Sequence, residues 1–231
     1  MQSAKASENT MADFDVAIIG AGIAGASLAW FLARDRRVLL LERESQPGYH
    51  TTGRSAALFN DPFAHGPLRA LTDASRDFYL NPPTGFADTP LNRPRAVLVF
   101  GPDRAALAAS HAALRAAGSH AELLGRDAAL ALVPVLRPDG VAAALFEPDC
   151  GDLDISVIHA GFLRGMRATG GVLVCDAEVT ALGHEAEGWR VGTTAGEFRA
   201  DVVVNAAGAW ADEIARLAGV PPIGLMPLRR S

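Results

Sequence analysis

The apolar positions of this chain change period several times, and each change marks an element. Val16 to Ile19 is an unbroken apolar run of strand length, a helix follows at once through Leu32, and Val38 to Leu41 is a second buried strand. Leu68 to Tyr79 has helical periodicity and stops at Asn81-Pro82-Pro83. Arg95 to Phe100 reads as a strand, Ala105 to Ala117 as an alanine-rich helix closed by Gly118, and Asp127 to Leu132 as a short helix before Pro134. Val141 to Phe146 reads as another strand. Ile155, Ile158, Phe162 and Met166 then form one face of a helix, with Asp154 at its N-cap. Val172 to Val174 is a strand, and Trp189 to Thr194 with Glu197 to Ala200 makes a hairpin around Ala195-Gly196. Val202 to Val204 predicts a buried strand. The helix after it runs through Leu217 and ends at Gly219 and Pro221-Pro222.

The first strand, helix and second strand frame a pattern with chemical content. Gly20, Gly22 and Gly25 form G-x-G-x-x-G between strand and helix. Gly20 permits the tight turn, Gly22 lets backbone approach a pyrophosphate, and Gly25 lets the helix pack on the strand. The helix N-terminus offers free N–H groups and roughly half a positive charge to phosphates. Glu42 closes the second strand about 20 residues beyond the glycines, where a carboxylate can accept both hydroxyls of an adenosine ribose. An acid there disfavours the extra phosphate of NADP and leaves NAD and FAD as candidates. A second run of small residues, Asn205-Ala206-Ala207-Gly208-Ala209-Trp210, follows the Val202 strand. It leaves a surface bare of side chains, which suits a flat cofactor or a close-packed turn equally.

Composition narrows the classes. The chain has 231 residues, 49% hydrophobic and 20% charged, so a packed core is expected and disorder is not. A net charge of −5 without a basic stripe argues against a nucleic-acid partner. Cys150 and Cys175 are the two cysteines, too few for a disulfide framework, which fits a reducing, cytoplasmic setting. No apolar run approaches a membrane span, residues Met1 to Asp13 lack a signal-peptide core, and Met11 is a candidate start. Glu147, Asp149, Asp152 and Asp154 crowd one loop, but their spacing is not that of an EF-hand, and no metal is expected. His50, His65, His111, His120, His159 and His184 form no catalytic or metal constellation and read as structural or solvated.

After Glu42-Arg43 comes a loop, QPGYHTTGRSAALFNDPFAHGP, which is similar to the FAD-dependent oxidoreductases of the D-amino-acid oxidase family. In it Gly53 can take positive φ, Ser55 can cap a short helix beginning at Ala56, and Ala56 and Ala57 leave room for a flat ring. Arg54 reads either as a cofactor contact or as a solvated loop charge. The strings QPGYHTTGRSAA, RALTDASRDFY, NPPTGF, VPVLR and VVVNAAGAWADEIARLAGV further resemble the D-arginine dehydrogenase branch of that family. The resemblance implies FAD contacts at Gly20, Gly22, Ala24, Gly25, Glu42, Arg43, Thr52, Gly53, Arg54, Ser55, Ala56, Ala57, Val179, Ala207 and Gly208. It implies an α/β fold, a Rossmann-like FAD-binding domain with a parallel sheet carrying the first half of an inserted α+β substrate domain. The FAD-binding segments would be 13–89 and 147–220, the partial substrate domain 90–146, and 221–231 the start of a return to it. The implied reaction is oxidation of a D-amino acid or related amine to the imino acid by hydride transfer to flavin, with electrons leaving for an unknown acceptor.

Departures from the branch concern the substrate. Where D-arginine dehydrogenase relatives place a histidine and, five residues later, a tyrosine, this chain has Leu58 and Phe63. Where they place an acid after the Pro-Arg pair, Pro94 and Arg95 lead into Ala96 and Val97. A less polar substrate than D-arginine is expected on the substrate side, unless Leu58 and Phe63 are ordinary core residues. The resemblance also implies that the groups holding the substrate carboxylate lie beyond Ser231, so no catalytic residue is assigned and the isolated chain is expected to be inactive. Two other readings remain: an NAD-dependent dehydrogenase, and a non-catalytic dinucleotide-binding module that needs a partner polypeptide.

Overall fold

The computed structural model describes residues 13–59 and 67–228. Its first elements are β1 (Asp13–Ile19), α1 (Ile23–Leu32), β2 (Val38–Leu41), β3 (Leu58–Phe59), α2 (Pro67–Leu80), β4 (Asn92–Pro94) and β5 (Val97–Gly101). Next come α3 (Arg104–Ala116), β6 (Glu122–Gly125), α4 (Arg126–Leu132), β7 (Ala143–Glu147), β8 (Gly151–Leu153) and α5 (Ile155–Ala168). The last are β9 (Val172–Val174), β10 (Val179–Glu185), β11 (Gly188–Thr193), β12 (Gly196–Asn205) and α6 (Ala211–Leu217). The chain forms two compact units, one of residues up to Ser55 together with those from Ile158, the other from Ala56 to Val157. The pattern reading placed its domain limits at 89/90 and 146/147, whereas the contact boundaries fall at 55/56 and 157/158.

The first unit is built on a six-stranded sheet in the order β10-β11-β12-β1-β2-β9. β12, β1, β2 and β9 run parallel, while β10, β11 and β12 form an antiparallel meander. All four residues of β2 are buried, which is why this strand reads as an unbroken apolar run. Ala17, Ile19, Leu39, Leu41, Val179 and Val191 form the core on one face, with Val203 packed against them. The strand after the hairpin is longer than the pattern suggests. The hairpin's second arm and the Val202 run are one continuous strand, β12, pairing with β11 on one side and β1 on the other. Nor is that strand buried throughout. Val202 is 50% exposed while its neighbour Val203 packs inward, because successive strand side chains face opposite ways.

The second unit holds two three-stranded antiparallel sheets, β3-β8-β4 and β5-β7-β6. Its apolar packing includes a cluster of Leu114, Ala121 and Leu145, another of Ala129, Val141 and Ala144, and edge-to-face rings of Phe59, Tyr79, Phe78 and Phe86. α3 starts at Asp103, whose Oδ1 accepts the N–H groups of Ala105 and Ala106 at 2.9 and 3.0 Å. The short helix expected from Ala56 does not form. Thr52–Arg54 is a 3-10 turn, Ser55 after it is extended, and Leu58–Phe59 pairs with Asp152 and Gly151. That long-range pairing outweighs the local capping signal of Ser55. Asp154 does cap α5, through Oδ1 and the N–H of Val157 at 3.1 Å.

Candidate functional site

The site grows from two turns that cross at the ends of β1 and β12. Gly20 leaves β1 with φ +103°, and a Cβ there would stand 2.5 Å from the carbonyl oxygen of Ala206. Its N–H donates to Leu41 at 2.8 Å, while the N–H of Ala206 donates to Ile19 at 2.9 Å. Only glycine satisfies both the backbone conformation and the approach. A Cβ on Gly25 would overlap the carbonyl oxygen of Gly20 and press on Ile18, so this glycine seats α1 against the turn and the strand. Gly22 is the N-cap of α1 and has no side chain with which to cap it. Thr52 does so instead, its Oγ1 accepting the N–H of Ile23 at 2.9 Å.

Glu42, 8% exposed at the end of β2, faces the same turn. Its Oε2 accepts the N–H of Ala21 at 3.0 Å and its Oε1 that of Glu44 at 3.1 Å. Two backbone donors of the turn region, those of Ala21 and Ile23, are thus held by side chains rather than left open, which revises the picture of a wholly free helix N-terminus. Each carboxylate oxygen of Glu42 keeps a further lone pair for a ligand hydroxyl.

An open cleft enclosing about 890 Å³, its solvent-facing mouth included, runs over these groups. Ile19, Leu41, Ala177, Val179, Ile214 and Leu217 give it an apolar wall, and Gly20, Gly22, Ala206, Ala207 and Gly208 a wall of backbone. Glu42, Arg43, His50, Thr52, Glu178 and Glu213 supply its polar groups. Arg43 lies with its guanidinium 4.4 Å from the centre of the Trp210 ring and its Nε 3.0 Å from Glu44 Oε1. His50 places Nε2 2.8 Å from the same oxygen and its ring 4.5 Å from Trp210. The hydrogen bond from His50, with help from Arg43, holds the Glu44 carboxyl below its ordinary range. Burial pushes the Cys175 thiol up, and the charges of Glu42 and Asp176 add to this, so it stays protonated near neutrality.

Of the residues singled out from the sequence, Gly20, Gly22, Glu42, Arg43, Thr52, Val179, Ala207 and Gly208 converge on this cleft. Gly25 sits behind it, and Ala24 is exposed on the first turn of α1. Gly53 is not a positive-φ glycine. The positive φ, +75°, belongs to Gly48, and Gly53 is small because a Cβ would stand 2.6 Å from the Gly48 carbonyl oxygen, which its own N–H holds at 2.7 Å. Arg54 is exposed and lies 5.2 Å from the centre of the Tyr49 ring, outside the residues lining the cleft, as is Ser55. Ala56, Ala57 and Leu58 belong to the other unit, where Leu58 is 41% exposed. Phe63 and His65 lie outside the described residues.

Sequence reasoning missed Tyr49, His50 and Trp210, which line the cleft. The available signal was their place inside the QPGYHTTGRSAA string, for Tyr49 and His50, and the Asn205–Trp210 run, for Trp210. His159, read from the sequence as structural or solvated, is buried with its Nε2 2.9 Å from the Ala21 carbonyl oxygen. Among the described residues no group of His, Cys, Asp or Glu is placed to hold a metal, and no helix is long and apolar enough to cross a membrane.

With this geometry in view, the model of the DAO family, described as FAD dependent oxidoreductase, matches residues 15–231. Human mitochondrial dimethylglycine dehydrogenase is 36% identical over 90 residues, 38% of this chain and 10% of that protein. Glycine oxidase of Geobacillus kaustophilus is 25% identical over 217 residues, 90% of this chain and 58% of its own length. Its crystal structure superposes with a TM-score of 0.78 at 26% identity, over 90% of this chain and 58% of that one. L-2-hydroxyglutarate dehydrogenase of Escherichia coli K12 is 26% identical over 230 residues, 90% of this chain and 51% of that enzyme. The FAD-bound L-α-glycerophosphate oxidase of Mycoplasma pneumoniae has the same fold, with a TM-score of 0.80 at 20% identity over 90% of this chain and 58% of its own. The chain spans little more than half the length of these last three, and a tenth of the first.

Proposed function

Because the chain belongs to the FAD dependent oxidoreductase family, we propose that it carries the FAD site of an enzyme that oxidises a D-amino acid, or a related amine, to the imine. The observation carrying this reading is the cleft itself, with a buried carboxylate at the end of β2, a glycine turn beside it and an apolar wall that includes Val179. These residues fit the cofactor's chemistry. Glu42 can accept ribose hydroxyls, the backbone from Gly20 to Gly22 can lie against a pyrophosphate, and Ala177, Val179 and Leu217 offer a surface for a flat base. Arg43 and Thr52 add a cation and a hydroxyl to the lining, and Ala207 and Gly208 continue the wall of small residues begun by Gly20 and Gly22. Gly25 supports the turn from behind, and Ala24, Gly53, Arg54, Ser55, Ala56 and Ala57 are assigned to the cofactor on family resemblance.

FAD, held by Glu42 and the Gly20–Gly22 backbone, would supply the acceptor for a hydride from the substrate Cα, with the nitrogen's proton released. For a primary amine the imine then hydrolyses to a 2-oxo acid and ammonia. Leu58 and Phe63 are assigned to the substrate side, which favours an apolar side chain over a cationic one. The amine class is supported by the relatives named glycine oxidase and dimethylglycine dehydrogenase, while a relative named for L-2-hydroxyglutarate sets a hydroxy acid as the competitor. The test uses the complete polypeptide carrying this sequence, loaded with FAD and mixed without oxygen with D-alanine, D-leucine, D-arginine, N-methylglycine and 2-hydroxyglutarate. Flavin bleaching by the apolar D-amino acids ahead of D-arginine is expected. Bleaching by 2-hydroxyglutarate alone would overturn the amine reading.

A further inference from the structure

We propose that His159 is a positioning residue for the cofactor: its Nε2–H fixes the carbonyl of Ala21, and with it the direction in which the Gly22 N–H points. The inference rests on reading the cleft as an FAD site. His159 lies on α5, is 8% exposed, and places Nε2 2.9 Å from the Ala21 carbonyl oxygen across 138 residues of sequence. A carbonyl oxygen can only accept, so Nε2 carries the hydrogen. The peptide between Ala21 and Gly22 is planar and trans, since the described chain has no cis bond. Holding its C=O on the His159 side therefore turns the Gly22 N–H to the opposite side, and Gly22 lines the cleft.

The neighbouring peptides are fixed in the same manner. Glu42 holds the Ala21 N–H at 3.0 Å, which orients the Gly20 carbonyl. Thr52 holds the Ile23 N–H at 2.9 Å, which orients the Gly22 carbonyl. Three consecutive peptides of the turn are thus aimed by three side chains from three distant segments. Of the three, His159 does not itself line the cleft. Its ring also lies against Gly48, where a Cβ would stand 2.9 Å from its Cε1. The imidazole thereby ties the glycine turn to the loop that begins at Gly48 and leads to Tyr49, His50 and Thr52 of the cleft. An anion-binding turn needs its N–H groups aimed before the ligand arrives, since ordering them on binding would cost affinity.

The test compares wild type, His159→Leu and His159→Gln by titrating FAD into apoprotein and following tryptophan fluorescence, with far-ultraviolet circular dichroism as the fold check. A glutamine amide can stand in for the Nε2 donor. The leucine variant should bind FAD about tenfold more weakly, and the glutamine variant within about threefold of wild type. In parallel, long-range proton–nitrogen NMR of the wild-type imidazole should show the hydrogen on Nε2, a readout that needs no variant to fold. Equal FAD affinity in the leucine variant and wild type, equal losses in both variants, or a hydrogen on Nδ1 alone would each overturn the proposal. Wild-type protein that binds no FAD would reject the reading of the cleft instead, and the tautomer would still decide whether His159 donates to Ala21.

Discussion

The two compact units use the same residue types for different ends. In the first, β2 is buried at every position, four strands run parallel, and the glycines at the sheet's end admit neighbours: Gly20 makes room for Ala206, Gly25 for the Gly20 carbonyl, Gly48 for His159. In the second, two three-stranded sheets carry apolar clusters, and Gly118 shares a positive φ with Gly20 yet has no atom within 4 Å of a Cβ built on it. The first unit is built inward around a cleft, so its backbone is specified by contacts. In the second, α3 starts from a local signal, the Asp103 cap, while β3 is set by its long-range pairing with β8 and Gly151 gives way to Asn92, but none of these residues lines the cleft. Substitutions should therefore cost stability and flavin together in one unit, and stability alone in the other.

The largest effect is expected at Gly25. Gly25→Val drives side-chain carbons into the Gly20 carbonyl, where backbone rather than a mobile side chain must yield. A loss of about 3 kcal/mol or more and no FAD retention are predicted, read by denaturant unfolding and by absorbance after reconstitution. A variant with wild-type stability would break the account of the first unit. Next is Glu42→Ala, which removes a buried acceptor of two backbone N–H groups as well as the proposed ribose contact. FAD affinity should fall by about one to two powers of ten, since a hydrogen bond to a charged group contributes roughly 1.5–3 kcal/mol. Calorimetric titration that finds no change would remove Glu42 from the site.

In the second unit, Asp103→Ala should cost about 1 kcal/mol of stability through the lost cap and leave FAD affinity where it was. A drop in FAD affinity equal to that of Glu42→Ala would erase the contrast between the units. The smallest effect concerns Glu44. Its carboxyl is held below its ordinary value of 4.5, chiefly by the hydrogen bond from His50. A depressed folded pKa contributes stability that is present above the unfolded value and lost as pH falls through the folded one. His50→Ala should thus raise the Glu44 midpoint in a carbon-detected NMR titration and cost a little stability at neutrality, a difference from wild type that fades as pH falls below about 4.5. An unmoved midpoint would show that His50 does not carry the effect.

What the sequence made legible was the first unit's sheet and one side of its cleft. Val38–Leu41 was readable because a strand buried on both faces is apolar throughout, and Glu42 because an acid at such a strand's end is conspicuous. The capping of α1 by Thr52 and the hold of His159 on Ala21 were not readable, because they join residues 29 and 138 positions apart and leave no local period. The misplacement of positive φ at Gly53 has the same origin. Two glycines five residues apart look alike in the sequence, and only the folded loop shows that one turns the chain while the other gives way to its carbonyl. In the second unit, β3 was lost to a local helix signal because its partner, β8, lies nearly a hundred residues on. The choice between NAD and FAD, open from Glu42 alone, is decided by the family match over residues 15–231.

Equilibrium dialysis decides whether this cleft binds FAD. Apoprotein is dialysed in parallel against FAD, NAD and FMN, and bound ligand is counted for wild type and for Glu42→Ala. One FAD per wild-type chain, a clear loss in the variant, and weaker binding of FMN, which lacks the adenosine ribose that Glu42 would hold, are expected. Preferential binding of NAD, or FMN bound as tightly as FAD and indifferent to Glu42, would contradict the assignment of this cleft to FAD.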